Sequence, residues 1–91
     1  MNEKLKEIKA LIQDNELDTA TTKLKEYICS YPQSDEAYYL LGNLYRKQGN
    51  WQLALNNYLE AIDRNPNSPA VQAHTMLMNI LNFYNKDMYN Q

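Results

Sequence analysis

Apolar residues recur at spacings of three and four along nearly the whole chain, the period of helices packed on one face, and no stretch alternates as a strand would. Leu5, Ile8, Leu11 and Ile12 make one stripe, which predicts a first helix from about Asn2 to Asp14. Leu17, Ala20, Leu24, Tyr27, Ile28 and Tyr31 make the next, over Glu16 to Ser30. The Tyr31-Pro32 step ends it, because proline disfavours helix at the residue before it. Ser34 offers a capping oxygen to a third helix, and Asp35 and Glu36 in its first turn complement the helix dipole. That helix runs to about Gln48, where Gly49 suits a left-handed C-cap. Asn50 can cap a fourth helix from Trp51 to Arg64, closed by Asn65-Pro66. Ser68-Pro69 starts a fifth, which reaches about Tyr89.

The five stripes repeat. Pro32 and Pro66 stand 34 residues apart, and the same shift lays Ala20 on Ala54, Glu26 on Glu60, Ile28 on Ile62 and Ser34 on Ser68. Asn15 falls on Gly49, and Asn is the non-glycine residue that best tolerates a left-handed backbone, so one sharp turn can serve both hairpins. The first helix matches the third less closely, with Lys4 and Glu7 where Tyr38 and Leu41 supply core. A terminal helix with one face in water would be built that way.

Composition narrows the functions this pattern can serve. Nine Lys plus Arg against eleven Asp plus Glu give a net charge of −2, so no positive field draws nucleic acid or an anionic membrane, and neither is expected as a partner. The charged, periodic N-terminus MNEKLKEIKALIQ holds neither a secretory signal nor a span, and a cytoplasmic location is expected. His74 is the single histidine and Cys29 the single cysteine, too few for a metal site. Without a phosphate loop or a nucleophile elbow beside the scattered carboxylates, no enzyme activity, cofactor or metal is expected. Cys29 reads as a small helix-packing residue, and Trp51 and most of the tyrosines as core.

Residues 35 to 66 carry Tyr38, Leu41-Gly42, Tyr45, Ala54, Tyr58, Ala61 and Pro66, and on these the chain resembles a tetratricopeptide repeat protein. The physical logic of those positions stands without the family: Gly42 and Ala54 permit close approach where two helices cross, and aromatic rings fill the space beside them. The resemblance implies an all-α fold, a right-handed α-α superhelix of two helical hairpins, residues 1–34 and 35–68, with a capping helix over 69–89. It also implies a non-catalytic module that binds a protein or peptide in a concave groove lined by the first helix of each pair. Groove positions are then Glu36, Tyr39, Asn43, Arg46 and Lys47 on the third helix, Leu5 and Lys9 on the first, and His74 and Met78 on the fifth. Some relatives clamp a terminal carboxylate with Lys, Asn and Arg across three repeats. Here Leu5 and Lys9 stand at the first lysine and asparagine, and Ala70 and His74 on the last helix, so that clamp is not reproduced.

The fifth helix admits two orientations. Strict 34-residue register makes Gln72, Thr75, Met76 and Asn79 core and points Ala70, Ala73, Leu77, Ile80 and Leu81 at the groove. A shift of one residue, about 100°, instead sets Ala73, Met76, Leu77, Ile80 and Tyr84 against the fourth helix, with Val71, His74, Met78 and Leu81 toward the groove. The second keeps apolar residues inside and is the expected arrangement. Phe83 and Met88 widen its apolar arc, which offers an alternative role: self-association as a weak homodimer, or docking on a larger assembly.

Overall fold

The computed structural model describes the backbone of residues 3–89 and the side chains of residues 3–83. Five helices follow one another: α1 Glu3–Gln13, α2 Leu17–Ser30, α3 Asp35–Lys47, α4 Trp51–Arg64 and α5 Ala70–Tyr89. Each packs on the next, and α1 also touches α3.

The turns repeat as the sequence spacing predicts. Asn15 has φ 65° and Gly49 φ 79°, both left-handed. Around Asn15, the Glu16 amide donates to the Leu11 carbonyl at 2.8 Å and the Asn15 amide to Ile12 at 3.0 Å. Around Gly49, the Asn50 amide donates to Tyr45 at 2.9 Å and the Gly49 amide to Arg46 at 3.0 Å. Both are Schellman caps, which satisfy the last carbonyls of a helix and reverse the chain into the next. Side-chain caps open the later helices: Ser34 Oγ accepts from the Ala37 amide at 3.2 Å, Asn50 Oδ1 from Leu53 at 3.4 Å and Ser68 Oγ from Ala70 at 3.0 Å.

Helix α3 is shared between two cores. Ala37, Leu40, Leu41 and Leu44 join Leu5, Ile8, Ile12, Ala20, Leu24 and Tyr27 of the first hairpin. On its other side Tyr38, Tyr39 and Tyr45 pack against Ala54, Tyr58 and Ala61 of α4 with Ala70 and Leu77 of α5. Each large side chain so buried stabilises the fold by about 1.5–3 kcal/mol. Closest approach falls at Gly42, where an added Cβ would lie 2.6 Å from the Tyr58 ring and 3.2 Å from the Ala54 carbonyl.

Five side chains expected inside lie outside. Tyr31 is exposed, its ring resting 4.7 Å from that of Tyr27, because the helix has ended before it can turn inward. Cys29 is exposed, one position past the Tyr27–Ile28 seam on the outer face of α2. Trp51, the first residue of α4, projects beyond the end of α3 and is exposed. On α5, Met76 is 64% exposed and Ile80 46%, whereas Ala70 and Leu77 are buried and Ala73 and Leu81 half-buried. The expected seam is therefore corrected in part: Ala73 and Leu77 turn inward as the shifted arrangement has them, Met76 and Ile80 do not, and Gln72, Thr75, Met76 and Asn79, the core positions of strict register, are all exposed. Tyr84 and Met88 lie outside the described side chains.

Candidate groove between α3 and α5

Tyr58 links the core to the surface. The residue is fully buried beneath Gly42, and its hydroxyl lies between two residues of α3 one helical turn apart. Arg46 Nε donates to Tyr58 Oη at 3.2 Å, and Tyr58 Oη donates to Asn43 Oδ1 at 2.6 Å. Burial pushes the phenol pKa above its ordinary value, with the bond and charge of Arg46 partly opposing it. Tyr39 stands beside this chain, its ring centroid 6.1 Å from that of Tyr58.

Together these residues form one wall of a surface depression. Tyr39, Asn43 and Arg46 of α3 face Gln72, Ala73, Met76, Leu77 and Ile80 of α5, with Pro69 at one end. The α3 wall is polar and the α5 wall largely apolar.

The expected groove residues divide three ways. Tyr39, Asn43 and Arg46 are brought together. Lys9 and Glu36 lie on neighbouring helices and pair with each other, Nζ to Oε2 at 2.9 Å, and Lys47 is exposed at the end of α3. Leu5 is only 2% exposed and belongs to the first core, which removes it as a contact residue. His74 is half-buried and Met78 exposed, and neither lines the depression, since α5 turns Met76 and Ile80 there instead. Ala73, Leu77 and Ile80 were marked by strict 34-residue register; Tyr58 was legible only as a packing residue.

A second depression opens at the first hairpin between Lys4, Glu7 and Ile8 of α1 and Lys23, Glu26, Tyr27, Ser30 and Tyr31. It lies at the positions where the second hairpin holds Tyr38 and Arg64. Among the described residues no group of three or more His, Cys, Asp or Glu stands where it could hold a metal ion. No helix among them is long and apolar enough to cross a membrane.

Stacked antiparallel helix pairs with a shared central helix and a groove on one side define a helical-repeat protein. The family model described as Tetratricopeptide repeat matches residues 35–68. The solution NMR structure of Bacteroides fragilis protein BF1650 is similar at 58% sequence identity and a TM-score of 0.88, covering 100% of this chain and 92% of that one. No curated protein matches the chain. The chain belongs to the tetratricopeptide repeat family, whose repeats generally mediate protein–protein interaction.

Proposed function

We propose that the chain is a non-catalytic interaction module that holds a segment of a partner protein between α3 and α5. The observation that carries this reading is the pairing of exposed Met76 and Ile80 with the polar wall of Tyr39, Asn43 and Arg46 across one depression. Exposed apolar side chains set opposite fixed hydrogen-bonding groups are the usual make-up of a site for a peptide or helix. The Lys9–Glu36 pair extends the site toward α1, and Lys47 lies at the end of α3. Affinity capture from native lysate tests it, comparing wild type with an Arg46→Glu, Met76→Lys variant whose changes both fall on exposed residues. A partner held by the first and lost by the second supports the groove; identical captures discard it.

Self-association is the second reading, and one observation favours it. Val71 and Met78, 39% and 37% exposed, form a separate apolar shoulder on the far side of α5 from Met76 and Ile80. Sedimentation over a range of concentrations decides it: a dimer lost on Met78→Glu supports the reading, and a monomer at every concentration removes it.

A further inference from the structure

The hydrogen bonds of the α3 wall run in one direction, and that direction selects the chemistry of whatever lies against it. Arg46 Nε gives its proton to Tyr58 Oη, which gives its own to Asn43 Oδ1, so the side-chain oxygen of Asn43 already accepts. What Asn43 and Arg46 still offer the groove is the Asn43 amide NH2 and the two terminal nitrogens of Arg46, all donors, beside the Tyr39 hydroxyl and the Gln72 amide, which can donate or accept. Arg46 has no carboxylate within 4.0 Å among the described residues. Toward α1 one pair of charges closes on itself, Lys47 adds an exposed positive charge at the end of α3, and the α5 side carries none. Lys9 and Glu36 neutralise each other at 2.9 Å. From Asn65 to Asn85, a stretch that includes the α5 wall, the sequence contains no Asp, Glu, Lys or Arg. The depression therefore combines an uncharged apolar shelf with one positively charged patch rich in donors.

We infer that the occupant of the groove is an amphipathic helical segment of a partner protein that lays apolar side chains on Met76 and Ile80 and directs an aspartate or glutamate side chain to Arg46 and Asn43. This rests on the groove reading above and adds the chemistry of the partner. A helix can match the shelf. Met76 and Ile80 are one turn apart, about 6 Å along α5, and apolar residues at i and i+4 of a second helix have the same spacing. A carboxylate satisfies several donors at once, whereas an amide would bring its own NH2 against them.

Three peptides test this by NMR titration of the isotope-labelled chain, following Asn43 and Arg46 side-chain and Ile80 methyl signals. The first is N-acetylated and C-amidated, with Leu at i and i+4 and one Glu a turn further on in an Ala/Gln host. Its twin replaces Glu by Gln, and the third is that Gln peptide with a free C-terminal carboxylate. The Glu peptide should bind about tenfold more tightly than the Gln twin, the scale of one charge-assisted hydrogen bond at a half-exposed site. Arg46→Gln should abolish that difference and Met76→Ser should weaken both peptides alike. Equal affinities of the twins for the wild type would overturn the acidic partner and leave the groove standing. Tighter binding of the free-ended Gln peptide than of the Glu peptide would assign the donors to a chain terminus and overturn it too. If no peptide moves any groove signal, the groove reading fails and takes this inference with it.

Discussion

Gly42 and Gly49 are the two glycines of the chain and are required for different reasons. At Gly42 the constraint is space, since a Cβ would meet the Tyr58 ring at 2.6 Å; at Gly49 nothing lies within 4 Å and the constraint is φ 79°. Gly42→Ala should cost about 1–3 kcal/mol by overpacking, and because Tyr58 must move, the Asn43 and Arg46 side-chain resonances should shift with it. Gly49→Ala should cost about 1–2 kcal/mol through its backbone and leave those resonances in place. Urea denaturation and side-chain NMR on the two variants check the contrast; matching resonance shifts would contradict it. Tyr58 also carries an alkaline signature. Its folded pKa is raised, so the folded state holds the phenol proton more tightly than the unfolded chain does. The stabilisation is complete at neutral pH and declines as pH climbs above about 10. Tyr58→Phe should therefore flatten the fall of stability with pH in that range, measured by denaturation at a series of alkaline pH values.

Among the elements, α5 separates what the pattern of residues could tell from what it could not. Helices α1 to α4 were legible because each has a narrow stripe, a cap and a proline or left-handed stop, and these signals agree with one another. Tyr39, Asn43 and Arg46 were legible for the same reason, as fixed offsets on a well-oriented helix. Helix α5 has apolar residues on so much of its circumference that more than one seam is plausible from hydrophobicity alone. The small Ala70 and Ala73 decide the matter by letting the helix approach closely, and Met76 and Ile80 turn out to the groove. Trp51 and Tyr31 misled for a simpler cause: both stand at helix ends, where a correct period no longer guarantees a neighbour to pack on. A pair of substitutions tests the orientation of α5. Leu77→Ala should cost about 2–5 kcal/mol as a buried truncation, while Met76→Ala, at 64% exposure, should stay within about 0.5 kcal/mol. Thermal denaturation giving the reverse order would mean that the helix is turned the other way.

At the scale of the whole molecule, Arg64 adds a polar link between the two hairpins to the core that α3 shares with both. Its Nε donates to the Pro32 carbonyl at 2.6 Å, Nη1 to Glu60 Oε1 at 2.7 Å, and Nη2 to Tyr38 Oη at 3.4 Å, with the guanidinium carbon 4.1 Å from the Tyr38 ring centroid. Asn65 Nδ2 adds a bond to Asp35 Oδ2 at 3.2 Å. Because stacked repeats touch only their neighbours, such a junction sets how far unfolding of one unit spreads to the next. Arg64→Ala should cost about 1–3 kcal/mol and broaden the thermal transition, which calorimetry would detect; an unchanged, sharp transition would show that the cores alone couple the hairpins.

The depression beside Lys4 and Ser30 gives this joint a further meaning. Those two residues stand where Tyr38 and Arg64 stand one period later, so the first hairpin carries the socket without its fittings. In the grammar of a modular ladder it is a joint without its clasp, and Lys4→Tyr with Ser30→Arg would supply one.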